Sequence, residues 1–265
     1  MIFVVDIGNT HIHLGLFTRG ALQASWRLST DPRRTVDEFA LQFKSLLSDE
    51  IVLAGVIISS VVPRLTERIV ASLKPLTVQE PMILTAETEI GIVNGYDHPN
   101  EVGMDRLANA AGGFLLHGAP LLILDFGTAI TLEYLAPPDV EGGRPIYAGG
   151  AILPGLDMAA EALARGTAKL PQVEIADPGV VIGRTMVHSI QSGLVHGYIG
   201  GIGSLVDRAR AQIGRRVKVV ATGGNAEQFH SIMPFVDAVE PVLTLFGLRQ
   251  IYGINHGCAL PGRDR

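Results

Sequence analysis

The sequence predicts an α/β protein built from two similar halves, and three observations carry that prediction. The stretch "DIGNTHIHLGLF", residues 6–17, reads as a strand ending in a Gly turn and restarting at once. "DFGTAITLEYL", residues 125–135, does nearly the same about half a chain later. Between and after them, short apolar strands alternate with amphipathic helices, the pattern of an α/β fold rather than of a short-period solenoid.

Taken in order, residues 2–5 read as a buried strand, and His11–Phe17 alternate, with Ile12, Leu14 and Leu16 on one face. "ALQASWRLS" continues as a third strand after the turn "TRG". Thr35–Leu47 has the spacing of an amphipathic helix, with Val36, Phe39, Ala40, Phe43, Leu46 and Leu47 on its apolar side. "IVLAGVIISSVV" is a buried strand, and Pro63 opens a helix over 64–73. A short strand near Met82–Leu84 precedes the loop "GYDHPNEVGMDR", and a helix then runs to about His117. The second half repeats the plan. "PLLILDFGTAITLEYL" is strand, turn and strand, "YAGGAILPGL" a third strand, and Met158–Arg165 a helix. A long helical stretch covers roughly 184–213, and its glycines imply close helix packing or a break. "VKVVATGG" is a strand entering a Gly turn, and a last helix begins after Pro241. The boundary is expected near 112–120, giving domains 1–112 and 113–265.

A chain of 265 residues is comfortable for two packed halves, and 47% hydrophobic with 18% charged residues describes a compact fold. The net charge of −5 leaves no basic excess to neutralise a nucleic-acid backbone. The single cysteine, Cys258, forms no internal disulfide and fits a reducing cytoplasm. The N-terminus lacks the basic start and long apolar core of a signal peptide, and no apolar run reaches membrane-spanning length.

The chemistry lies in the turns. Glycine lets the backbone approach a ligand, successive N–H groups form an anion-holding concavity, and a Thr hydroxyl adds a donor. The Asp at each strand end would repel phosphate unless a cation lay between them, since Mg²⁺ takes carboxylate and phosphate oxygens together. One such turn is most often only a turn; two copies, each after a buried strand and each opening a half, point to a polyphosphate gripped from two sides. "ATGGN", 221–225, also follows an apolar strand and could let a flat ligand lie on the backbone.

With these stretches, and with "SSVVP", "GYDHPNEVGMDR", "GGAILPGL", "SIQSG" followed by "GY", and "LTLFGL", the sequence resembles type III pantothenate kinases over nearly its whole length. They belong to the superfamily of sugar kinases, heat-shock ATPases and actin, with duplicated RNase-H-like domains and a nucleotide cleft between them. The resemblance implies ATP-dependent phosphorylation of pantothenate, the first step toward coenzyme A, with Mg²⁺ and a monovalent cation, K⁺ or NH₄⁺, in a cytoplasmic homodimer. It implies a first phosphate loop at Asp6, Ile7, Gly8, Asn9, Thr10, His11, Ile12 and His13, with Asp6 holding Mg²⁺. Gly127 and Thr128 form the second loop, and Asp125 serves the monovalent cation. Asp105 in "GMDR" is the expected catalytic base, with Tyr96, Gly103, Met104 and Arg106 contacting pantothenate. Without the resemblance, Asp105 is a helix-start residue, Arg106 a surface residue and Tyr96 a loop aromatic. His11 and His13 form an H-x-H pair among apolar neighbours and take no metal role. The chain departs from the family at the start of its long helix, where a substrate-contacting Thr is expected: ungapped alignment puts Met186 there and Thr185 one residue early, a turn of about 100° on a helix. Two rival readings are a non-catalytic regulator that kept the fold and a related kinase with another hydroxyl substrate. The dimer contact is expected around 192–205.

Overall fold

The computed structural model describes residues 1–47 and 51–260. Its chain order begins β1 (Ile2–Ile7), β2 (His11–Thr18), β3 (Ala21–Ser29), α1 (Val36–Leu47), β4 (Gly55–Ser60), α2 (Pro63–Leu73), β5 (Met82–Ile83), β6 (Val93–Asn94) and α3 (Met104–His117). It continues β7 (Leu121–Phe126), β8 (Ala129–Ala136), β9 (Ile146–Pro154), α4 (Leu156–Gly166), α5 (Met186–Ile213), β10 (Lys218–Gly223), α6 (Ala226–Phe229), β11 (Ala238–Val239) and α7 (Leu243–Asn255).

The first sheet has the order β3-β2-β1-β4-β5. β1 pairs antiparallel with β2 and parallel with β4. The second sheet has the order β11-β10-β7-β8-β9-β6. Its five strands from β9 to β11 reproduce the first sheet's order, with β7 antiparallel to β8 and parallel to β10. The duplication expected from the two Asp-Gly turns is therefore a duplication of sheet topology.

Each sheet has its own core. Phe3, Val5 and Ile7 of β1, with Ile12, Leu14 and Leu16 of β2, pack against Phe39 and Phe43 of α1 and Leu65 and Ile69 of α2. The opposite face of that sheet is taken by α7: a Cβ on Gly15 would lie 3.1 Å from the Leu245 side chain, and one on Gly55 only 1.8 Å from the Tyr252 hydroxyl. In the second sheet Leu122, Leu124 and Phe126 of β7 pack on Ile190, Leu194, Val195 and Ile199 of α5. Strand character follows burial: β1 is apolar on both faces because α-helices lie on both, whereas edge strand β3 alternates exposed and partly buried residues along its length.

Two compact units result. One comprises Met1–Ala119, Pro137–Tyr147 and the segment from Leu243; the other comprises Pro120–Ala136 and Ala148–Val242. This partition differs from the division at 112/113, which falls inside α3, and it returns the last helix to the first unit. The reason is the α3–α7 contact. A Cβ on Gly247 would sit 1.8 Å from the Ala108 carbonyl, and one on Gly112 2.5 Å from the Leu243 carbonyl. Gly112 thus lets two helices touch backbone to backbone. Residues 261–265, assigned by sequence to the second half, lie outside the described residues. Among the described residues no helix is long and apolar enough to cross a membrane.

Candidate active site

The first loop joins β1 to β2. The Gly8 N–H donates to the His11 carbonyl at 3.0 Å, which closes a tight turn with Asn9 and Thr10 exposed at its tip. Thr30, just past β3, fastens the turn: its hydroxyl donates to the Gly8 carbonyl at 2.7 Å and its N–H to the Thr10 carbonyl at 2.9 Å. Two loop carbonyls are thereby engaged on the protein side. Asp6 is partly buried at the end of β1, beside Ser59 of β4 on one side and His13 of β2 on the other. Ile7 and Ile12 are fully buried and belong to the core, so they place the loop rather than face a ligand. His11 is exposed, 6.5 Å from the His13 ring. Burial, with Arg27 and His11 adding positive charge nearby, lowers the His13 pKa to about 4, so His13 is a neutral imidazole at neutral pH.

The second loop joins β7 to β8 in the other unit. The Gly127 N–H donates to the Ala129 carbonyl at 3.1 Å, and Gly127 and Thr128 are exposed. The Thr128 carbonyl accepts from the Gly155 N–H at 3.1 Å; a Cβ on Gly155 would lie 2.2 Å from that oxygen. "GGAILPGL" therefore supports the loop by being able to come this close. Gly223 ends β10 at a φ of 92°. A Cβ there would lie 2.6 Å from the Asp125 carboxylate and from the Phe126 backbone. The "ATGG" turn and the Asp125 strand end are thus brought together, through the pairing of Thr222 with Asp125.

The third group is built on α3. Gly103 is its N-cap residue, and Met104, Asp105 and Arg106 form its first turn. The Asp105 carboxylate accepts from the Arg106 N–H at 2.9 Å and is folded back over Gly103, where a Cβ would lie 2.4 Å from its oxygen. The Gly-x-Asp spacing thus has a steric cause. Arg106 is 9% exposed, and its guanidinium lies 5.6 Å from the centre of the Tyr147 ring. Tyr96 packs on the same ring at 6.2 Å. The loop between is fixed by Asn94, whose side-chain oxygen accepts from the Tyr96 N–H at 3.2 Å and whose amide donates to the Pro99 carbonyl at 3.1 Å. It is pinned at Gly95, whose N–H donates to the Tyr147 carbonyl at 3.0 Å. Thr244 of "LTLFGL" donates to the side chain of fully buried Asn109 at 2.6 Å, tying α7 to the helix that carries Asp105.

Thr185 and Met186 stand at the start of α5. Thr185 is its N-cap, with the hydroxyl accepting from the His188 N–H at 3.1 Å, and Met186 is about half exposed. The neighbouring "SIQS" residues hold the preceding segment against the helix: Ser192 donates to the Val181 carbonyl and Gln191 to the Glu174 carbonyl.

Structure thus gathers Asp6 with His13 and Ser59, Tyr96 with Arg106 and Tyr147, and Asp125 with Gly223. Sequence reasoning missed Thr30, Tyr147 and Ser59. Only "SSVVP" carried a signal, and its role depends on cross-strand register.

Two sheets of one topology, each with an Asp-x-Gly turn at the end of its central strand, define a duplicated RNase-H-like fold. Solved structures agree on the fold. A conserved protein of the Baf transcriptional-activator family from Campylobacter jejuni aligns at TM-score 0.57 and 17% identity, over 96% of this chain and 99% of that one. The ethanolamine utilization protein EutJ from Carboxydothermus hydrogenoformans aligns at 0.50 and 17%, over 93% and 88%. Component A of (R)-2-hydroxyglutaryl-CoA dehydratase from Acidaminococcus fermentans aligns at 0.50 and 14%, over 95% and 97%. Within this class the sequence matches the type III pantothenate kinase family over residues 2–208, and the chain belongs to that family.

Proposed function

We propose that the protein transfers the γ-phosphoryl group of ATP to the primary hydroxyl of pantothenate. The observation that supports this reading most is the α3 N-terminus of a family member, where Asp105 is folded over Gly103 and Arg106 is set on Tyr147. In the reaction the hydroxyl oxygen forms a bond to the γ-phosphorus, and the bond from that phosphorus to the bridging oxygen breaks. Its electron pair leaves with ADP, and the hydroxyl proton passes to the Asp105 carboxylate. Arg106, a planar donor fork already oriented by Tyr147, suits the carboxylate of pantothenate. Tyr96, Gly103 and Met104 complete the substrate side.

Each phosphate loop would present its exposed turn to phosphate: Gly8, Asn9 and Thr10 at the first, Gly127 and Thr128 at the second. Among the described residues no three His, Cys, Asp or Glu side chains cluster. A Mg²⁺ ion at Asp6 would accordingly depend on water and phosphate oxygens for its other ligands, the usual pattern for this cation. Bound there, it would neutralise charge on the phosphates. Asp125 would hold a monovalent cation in the same sense. Along α5, Gly193, Gly197, Gly200 and Gly201 are exposed, and a Cβ on any of them would meet nothing within 4 Å. This open stripe favours α5 as the contact of a homodimer.

ADP release measured with ATP and a panel of hydroxyl compounds tests the reading. Pantothenate is expected to give the highest kcat/KM. A different preferred hydroxyl would make the protein a related kinase. No stimulated release, together with DNA binding that weakens steeply with salt, would favour the regulator.

A further inference from the structure

Ser59 is fully buried at the end of β4, and its hydroxyl has no hydrogen-bond partner. Its neighbour Ser60 differs: the Ser60 oxygen accepts from the Val62 N–H at 3.0 Å. A buried hydroxyl left unmatched costs about 1–3 kcal/mol, and alanine would fill the same strand position without that cost. A hydroxyl at this point calls for a partner that comes from outside the chain.

Its position says what kind of partner. Ser59 is the registered neighbour of Asp6 in the parallel β1–β4 pair, and His13 is the registered neighbour of Asp6 on the other side. Registered neighbours share a face, and this face is opposite to the one where Val56 and Ile58 join the apolar core. Across the face at this level the order is Ser59, Asp6, His13 and Arg27. Adjacent strands lie about 4.8 Å apart, a span that one water bridges with two hydrogen bonds of about 2.8 Å. A cation-bound water joining the Ser59 and Asp6 side chains would fit that strand spacing.

We propose that Ser59 is a positioning residue for a hydrated divalent cation at Asp6, its hydroxyl accepting a hydrogen bond from a cation-bound water. The idea rests on the reading of Asp6 as the Mg²⁺ residue of the first phosphate loop. Mg²⁺ gives up its waters reluctantly and takes few carboxylates, so protein groups that orient its waters decide where it sits. Asp6 supplies the charge, and Ser59 supplies a neutral acceptor that does not compete for the phosphate.

The test uses the full-length protein and Ser59→Ala. A non-hydrolysable ATP analogue is titrated calorimetrically with Mg²⁺ and with EDTA, and both proteins are melted without ligand. The variant is expected to melt no lower than the unmodified protein, because its buried hydroxyl was unmatched. Its affinity in EDTA should be unchanged, while the gain in affinity on adding Mg²⁺ should shrink by about threefold or more, the size of one lost hydrogen bond. A smaller loss of that gain, an equal loss in EDTA, or a lower melting temperature overturns the proposal. If the unmodified protein itself gains nothing from Mg²⁺, the assignment of Asp6 fails and takes this one with it. A gain retained in the variant removes the role of Ser59 alone.

Discussion

His13 stands across the β1–β2 pair from Asp6, and its depressed pKa has a consequence for stability. In the unfolded chain it titrates near 6.5, in the folded chain near about 4. Between those values the unfolded state binds a proton that the folded state does not. Stability therefore falls as pH drops from about 6.5 to about 4 and gains nothing further from this group below that. Since burial is the first cause, His13→Gln is expected to flatten this segment of a melting-temperature profile while leaving the profile above pH 7 unchanged in slope. A profile with the same slope in the variant would assign the pH dependence to other groups. At this scale the sequence showed Asp6, Gly8, Asp125 and Gly127 because turn chemistry is local. Tyr147 and Thr30 were not legible: one meets an Arg forty-one residues earlier and the other two carbonyls across a strand pair, and neither leaves a local pattern.

The elements were legible wherever one face is apolar and the other is not. α1, with Phe39, Phe43 and Leu47 buried, follows the helical period, and β2 alternates from His11 to Leu14 before Gly15, Leu16 and Phe17 are all buried, the far face there being covered by α7. The glycines of α5 were less informative. They neither break the helix, which runs unbroken from Met186 to Ile213, nor pack closely within the chain, except at Gly203, where a Cβ would lie 3.1 Å from the Phe235 ring. The start of α5 also separates two roles that the sequence left tangled. Thr185 caps the helix, so Thr185→Ala is expected to destabilise the protein by about 1 kcal/mol in denaturant melts with little effect on the KM for pantothenate. Met186→Thr is expected to lower that KM several-fold at constant kcat, by restoring one neutral hydrogen bond of about 0.5–1.5 kcal/mol. A rise in KM with Thr185→Ala and no gain with Met186→Thr would show that the cap residue also contacts the substrate.

For the whole molecule, the duplication was readable because each half opens with the same turn, and sheet order confirms it strand for strand. The partition into units was not, since it depends on where α7 packs. A sequence shows that Gly112 and Gly247 lack side chains, but not that each is the other's neighbour. That contact joins the last helix to the one bearing Asp105. The central claim is that this helix start performs phosphoryl transfer to pantothenate with Asp105 as the base. Its most direct test is mass spectrometry of pantothenate incubated with ATP and Mg²⁺, using the unmodified protein and Asp105→Asn, with nucleotide binding checked in both. The account predicts phosphorylated pantothenate from the unmodified protein, and a rate at least ~100-fold lower from a variant that still binds ATP. Near-normal product formation by Asp105→Asn, or none by the unmodified protein, would contradict it.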